Sequence, residues 1–386
     1  MKSIGICTRS GNLWGGDIKA IQDIKRGLED QKILVRMSSK IESLLDTDFI
    51  FLTNSCLDLT PYYNILKKEN KKYGVICFHE DFIKYIPSCM GLVNYIDGYL
   101  NDKKDRDFKF TIEQLIENPE IIKYYNTQNI PKSPIYNIPV MNNASVCIAN
   151  TEKEKETILR DYPKANVQVI NWNNGMSEEW GDFLETNFLK NYNLKSKEYL
   201  IQVGRFEPRK NQISTIISCK DIDIPIVFIV TEGYAKWYDK MFAETIKKAK
   251  IKNRIIIISN YLKPQKTKNI EVYNIKTSKN NKLPTQDLKT AFIHAAANVH
   301  PAFYELPGYT YLEAASVNTY NIASNWTTIS EYIKTKENIL YSKPYDFNKI
   351  KKNTLQKINL KNNSNTVILN KTSSENIGYS ILNSIN

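Results

Sequence analysis

No stretch of this 386-residue sequence approaches the roughly 18 consecutive apolar residues of a membrane-spanning helix. The opening Met1-Lys2-Ser3-Ile4-Gly5-Ile6 has neither a long apolar core nor a small-residue cleavage site, so a cytoplasmic protein is expected. Glycine and proline are scarce at 14 each, which excludes collagenous and low-complexity classes. Six cysteines (Cys7, Cys56, Cys77, Cys89, Cys147, Cys219) lie far apart with no C-x-x-C pair. That argues against a disulfide framework or a zinc ribbon, and positions inside apolar runs such as Gly74-Val75-Ile76-Cys77-Phe78 suit buried free thiols. Only 3 histidines occur and no His/Asp/Glu cluster stands out to hold a metal, so no metal and no other cofactor is expected.

Hydrophobic residues at 42% and charged residues at 24% are ordinary for a globular protein, and the length exceeds what one core fills, so two domains are expected. Lys and Arg total 53 against 41 Asp and Glu, a net charge of +12. Nucleic acid, an anionic membrane surface and a phosphorylated small molecule all suit that sign, as do lysines that are merely solvated.

Short runs apolar on both faces, Ser3 to Cys7, Lys32 to Arg36, Asp48 to Leu52 and Tyr73 to Phe78, read as strands of a parallel sheet. Between them, Ile18, Ile21, Ile24 and Leu28 recur at helical spacing, and Thr60-Pro61 supplies a cap and first-turn proline. After a polar, Tyr-rich stretch from Asn94 to Pro139 the alternation resumes at Ser145 to Ala149, with Thr151-Glu152-Lys153-Glu154 as a capping box, and at Val167 to Ile170. A second series has strands at Tyr199 to Val203, Ile226 to Val230, Arg254 to Ile258 and Asn298 to His300, while Lys266 to Lys282 and Lys351 to Lys371 are Asn/Lys-rich and expected to be exposed. The expected organisation is α/β: an N-terminal Rossmann-like domain over 1–180, a linker over 181–197, a C-terminal Rossmann-like domain over 198–350, and a tail over 351–386 whose helix packs back on the first domain. Two such doubly wound domains would face across a cleft, with ligands outside the carboxyl ends of the strands.

Two constellations sit at strand ends. From His300 the chain runs Pro301-Ala302-Phe303-Tyr304-Glu305-Leu306-Pro307-Gly308-Tyr309-Thr310 into a helix carrying Glu313. Amides of Gly308, Tyr309 and Thr310 at the positive end of that helix would cradle a diphosphate. Glu305 and Glu313 are too far apart along the chain to act as a glycosidase pair, which needs roughly 5–9.5 Å, so they would reach opposite ends of one ligand. A helix with one solvated and one capping glutamate is the plainer alternative. The second constellation is Gly204-Arg205-Phe206-Glu207-Pro208-Arg209-Lys210, whose cations suit a leaving diphosphate. A solvated loop with a Glu207–Arg salt bridge is its plainer alternative.

Gly204-Arg205 with Lys210 resembles the Gly-Arg…Lys loop of family 4 retaining glycosyltransferases, and Glu305 to Glu313 resembles their E-x7-E signature. Ala149-Asn150-Thr151, Val169-Ile170 with Asn174-Gly175, and Leu283 to Val299 are similar to further segments of that family; the chain departs from it at Val317 to Asn321, where a Gly-x-Pro turn is usual, and at Trp14. The resemblance implies the GT-B fold and a nucleoside diphosphate sugar donor, UDP- or GDP-linked. It implies that Arg205 and Lys210 bind the diphosphate, Glu305 the transferred sugar and Glu313 the ribose, that Gly15 and Gly16 form the glycine loop, and that His79 touches the donor sugar. A glycan, lipid-linked or protein acceptor follows, with the diphosphate taking the proton of the attacking hydroxyl. Peripheral contact with an anionic membrane is a further expected partnership and nucleic acid is disfavoured. A silent nucleotide-sugar or nucleic-acid binder and a GT-B sugar epimerase remain the alternatives.

Overall fold

A computed structural model describes residues 1–9, 16–81, 135–172, 182–233, 236–249, 251–275, 283–306, 308–333, 338–359 and 373–385. They fall into two compact units: Met1–Phe82 with Pro131–Gly175 and Asn370–Asn386, and a second whose described residues lie within Met176–Leu369. Among the described residues no helix is long and apolar enough to cross a membrane.

The first unit is a six-stranded parallel sheet of β1 (Ser3–Cys7), β2 (Leu34–Ser38), β3 (Phe49–Thr53), β4 (Tyr73–Ile76), β5 (Val146–Ala149) and β6 (Val167–Val169), in the order β2-β1-β3-β4-β5-β6. Alternate residues of the interior strands enter different cores, as the two-residue period of a strand requires. On one face Ile4, Ile6, Phe49 and Phe51 join Ile21, Ile24 and Leu28 of α1 (Gly16–Asp30). On the other Ile50, Leu52 and Val75 join Leu66 of α2 (Thr60–Lys68), Met141 of α3 (Ile138–Asn143) and Ile158 of α4 (Glu152–Asp161). Thr151 caps α4, its Oγ1 accepting the Glu154 amide at 3.1 Å, while the Glu154 carboxylate accepts the amides of Asn150 at 2.6 Å and His79 at 2.7 Å. At α2, however, Thr60 is the first helical residue and not the cap; Asp58 takes its amide at 3.0 Å, and Asn137 takes the amide of the N-cap residue Leu59 at 3.0 Å.

The carboxyl-terminal helix α11 (Ser374–Ile385) lies against α1, with Ile377 and Ile381 in the same core. The contact is backbone to backbone: a Cβ on Gly378 would stand 1.8 Å from the Gly27 carbonyl oxygen. Gly378→Val should therefore destabilise the protein by about 1–3 kcal/mol through overpacking, read as a lowered denaturation midpoint. An unchanged midpoint would mean that α11 is not docked there.

The second unit has eight strands: β7 (Leu200–Arg205), β8 (Ile226–Thr231), β9 (Ile255–Ser259), β10 (Gln265–Lys266), β11 (Ile270–Asn274), β12 (Ala297–His300), β13 (Asn321–Ser324) and β14 (Ile339–Ser342). Their order is β10-β11-β9-β8-β7-β12-β13-β14, parallel except for the β10–β11 pair. The helices include α5 (Phe188–Asn191), α6 (Gln212–Cys219), α7 (Lys236–Lys248), α8 (Thr285–His294), α9 (Tyr309–Ser316) and α10 (Phe347–Asn359). Two stretches read as exposed are corrected in part. Val272 of β11 is buried because the strand pairs with β9, and α10 buries Ile350, Asn353, Thr354 and Lys357.

Candidate functional site

In the second unit the strand order reverses between β7 and β12. The chain proceeds from β7 through β8 and β9 to one side, and from β12 through β13 and β14 to the other. Connections leaving these neighbours diverge to opposite faces and open a crevice at their carboxyl ends. Both constellations singled out in the sequence are at that point.

β7 ends at Arg205, and a 3-10 turn over Pro208–Lys210 follows. The turn is fixed from below. Gln202 Nε2 donates to the Lys210 carbonyl at 2.7 Å and Gln212 Nε2 to the Arg205 carbonyl at 2.8 Å. Asn211, left-handed at φ 59°, donates to the Pro301 and Pro344 carbonyls at 2.8 Å each. Gly204, at φ 154°, holds a backbone conformation that other residues rarely adopt, and the Lys210 arm runs past it.

The β12 loop is tied to this turn. The Phe303 amide donates to the Arg209 carbonyl at 2.9 Å, and Arg209 Nη1 donates to the Tyr304 carbonyl at 3.2 Å. Lys210 Nζ forms a direct hydrogen-bonded ion pair with Glu305 Oε1, and Arg209 bridges Glu305 at 3.4 Å and Glu207 at 3.1 Å. Arg205 approaches Glu207 at 3.6 Å and keeps 48% of its side chain exposed. The helix α9 starts at Tyr309, capped by Gly308 at φ 77°. A Cβ on Gly308 would lie 2.7 Å from the Tyr311 ring and 3.3 Å from Glu305 Cβ, so glycine is required. The Gly308 and Thr310 amides have no acceptor among the described residues. Glu313, half-buried, is one helical turn beyond Tyr309, and Pro307 lies outside the described residues.

Burial pushes the Glu305 carboxyl up, but Lys210 and Arg209 outweigh it and hold it at about 2. Burial draws Lys210 down from the usual lysine value, partly opposed by Glu305. Burial, reinforced by Lys210, lowers His300 to about 3, so the ring is neutral at physiological pH; its Nδ1 is 3.3 Å from Thr310 Oγ1. His300 therefore takes up its proton more readily when unfolded, near 6.5, than when folded. Its contribution is fully present above 6.5 and fades as pH falls toward 3; that of Glu305 is present above 4.5 and fades toward 2. The folding free energy should fall between pH 7 and 5, and His300→Gln should flatten that slope in denaturant titrations. Equal slopes would exclude a buried neutral His300.

The first unit reverses its strand order at β1 and β3, whose carboxyl ends border a cavity of about 300 Å³ lined by Thr8, Arg9, Thr53, Asp58 and Tyr62, with Cys7 at its base. Burial pushes the Cys7 thiol up to about 12, which leaves it neutral and no nucleophile. Gly16 opens α1, while Gly15 lies outside the described residues. His79 is fully buried. Its Nδ1 lies 2.9 Å from Ser55 Oγ, its Nε2 lies 2.9 Å from Asp161 Oδ2, and its amide donates to Glu154 at 2.7 Å. Both ring nitrogens are thus engaged within the unit.

Arg205, Lys210, Glu305, Gly308, Tyr309, Thr310 and Glu313 belong to the loops and helix at the second unit's reversal point; Gly16 and His79 belong to the first unit. The sequence singled out no separate role for Arg209 and none for His300, Gln202 or Asn211. Arg209 was visible as a third cation in the loop, whereas the other three act through contacts distant in sequence.

No family model matches the chain, and no curated protein matches it. Solved structures do. Sucrose-phosphate synthase from Thermosynechococcus elongatus is similar at a TM-score of 0.61 and 12% identity, covering 100% of this chain and 94% of that one. HepE from Anabaena, in complex with UDP and glucose, is similar at 0.60 and 13%, covering 100% and 96%. A glycosyltransferase from Rickettsia africae is similar at 0.52 and 12%, covering 100% and 93%. These likenesses show the fold: two Rossmann-like bodies in one chain, as in GT-B glycosyltransferases.

Proposed function

From the GT-B fold as premise, we propose that the chain is a retaining glycosyltransferase of the family 4 kind. It moves a sugar from a nucleoside diphosphate sugar to a glycan, lipid-linked or protein acceptor and needs no metal ion. The observation that carries this is the meeting of Arg205, Lys210, Glu305 and the open amides at the start of α9 at one strand-order reversal. The similar HepE structure holds UDP and glucose, which supports a nucleotide-sugar donor here.

In this proposal Arg205 and Lys210 take the diphosphate together with the amides of Gly308, Tyr309 and Thr310, so protein charge does what a metal would do elsewhere. Glu305 faces the transferred sugar and Glu313 the ribose. The acceptor occupies the cavity at the carboxyl ends of β1 and β3, with Asp58 offered to its hydroxyls. His79 acts as a positioning residue, holding the chain after β4 through Ser55, Asp161 and Glu154. The acceptor hydroxyl attacks from the side that the diphosphate leaves and gives its proton to the departing phosphate oxygen.

An α-linked donor should thus yield an α-linked product in the presence of excess chelator, read from the anomeric proton signal at an early time point. A β-linked product, or activity lost on chelation and restored by Mg²⁺, would overturn the mechanism. A peripheral contact with anionic membrane is proposed through the exposed Lys67, Lys68 and Lys72 with the half-buried Lys71 around the end of α2. Flotation with anionic vesicles but not with neutral ones is the expected result; equal flotation with both, or none with either, refutes it.

A further inference from the structure

Glu207, Arg209, Lys210 and Glu305 are each at least nine-tenths buried, and their two positive and two negative charges cancel. Lys210 is held by Glu305, Arg209 is shared between both carboxylates, and only Arg205 extends a largely exposed cation from this loop. A diphosphate that reaches Lys210 must therefore share it with a carboxylate already seated there. We infer that Glu305 is the internal counter-ion of the diphosphate site, which weakens phosphate binding at Lys210 and speeds release of the nucleoside diphosphate product. The inference rests on the donor site proposed above and adds a second task for the residue assigned to the sugar.

The sign follows from Coulomb's law. A carboxylate within a few ångströms of an incoming phosphate repels it in a medium far less polar than water, and a neutral amide of the same shape does not. Glu305→Gln should therefore bind UDP or GDP, whichever the wild type prefers, on the order of tenfold more tightly, after allowance for screening. The gain should shrink from diphosphate to monophosphate and vanish for the nucleoside. The charged and titratable groups around Lys210 are Glu305, Glu207, Arg209 and His300. With Glu305 neutralised, less holds the Lys210 proton against burial and Arg209, so the gain should be larger at pH 6 than at pH 8. A mere change of packing has no reason to follow pH or phosphate number.

Isothermal titration calorimetry of the full chain with UDP, GDP, their monophosphates and nucleosides tests this. Tighter diphosphate binding by Glu305→Gln supports the inference. Equal or weaker binding overturns it while the donor site stands, whereas no nucleotide binding by the wild type removes the donor site itself. Should Glu305→Gln unfold, Glu207→Gln carries the test, because it removes one buried carboxylate, releases Arg205 from its pairing and leaves Arg209 with Glu305 alone, and so should tighten binding in the same direction by a smaller factor.

Discussion

Lys210→Ala should lower kcat by about 10²–10³-fold, the cost of removing one preorganised group that stabilises developing charge. The bridging oxygen gains negative charge as the sugar departs, and a fixed ammonium beside it favours the transition state over the bound donor. Lys210 is suited to this because its backbone is held by Gln202, its arm lies along Gly204 and its ammonium is paired with Glu305. Glu305 keeps Arg209 as a partner in the variant, which limits the cost of a stranded buried carboxylate. Steady-state kinetics would show kcat falling further than the donor KM rises. Wild-type kinetics in a folded variant would reduce this loop to a structural ion-pair network.

Glu305→Gln should abolish measurable transfer, a loss of about 10³-fold or more if the carboxylate supports positive charge developing on the sugar. The amide keeps the shape and loses the charge. Because the same change is expected to strengthen diphosphate binding, kcat should collapse while the donor KM stays level or falls, the pattern of a group acting mainly on the transition state. Near-normal turnover would remove Glu305 from the chemistry.

Much of the fold was legible because its central strands are apolar on both faces. Phe49 to Leu52, Ile226 to Val230 and Ile255 to Ile258 are short, β-branched or aromatic runs of the kind that fill interior strands of a covered sheet. β13 was not legible: Asn321-Ile322-Ala323-Ser324 is short and polar, and its burial depends on Asn321 pairing with Asn298 at 2.7 Å, a partner 23 residues away. The β10–β11 edge was hidden by its lysines and asparagines, which suit an edge strand as well as a loop. At the site, strand ends and charge pointed to Arg205, Lys210 and Glu305. No local pattern could say that Lys210 grips Glu305, that Asn211 reaches Pro344, or that the His79 ring is buried against Ser55 and Asp161. Those are products of tertiary closure, and they change the meaning of residues whose identity alone suggested open ligand contacts.

The central claim is that the reversal point between β7 and β12 holds the diphosphate of a nucleotide sugar. Thermal unfolding of wild type and Lys210→Ala with UDP, GDP, ADP and CMP, each with its sugar conjugates, tests it most directly. A ligand at 100 times its dissociation constant adds about 2.7 kcal/mol to the wild type. The account predicts that one nucleoside diphosphate and its sugar raise the wild-type midpoint and that Lys210→Ala loses most of that rise. No rise with any nucleotide, or an equal rise in the variant, would contradict it.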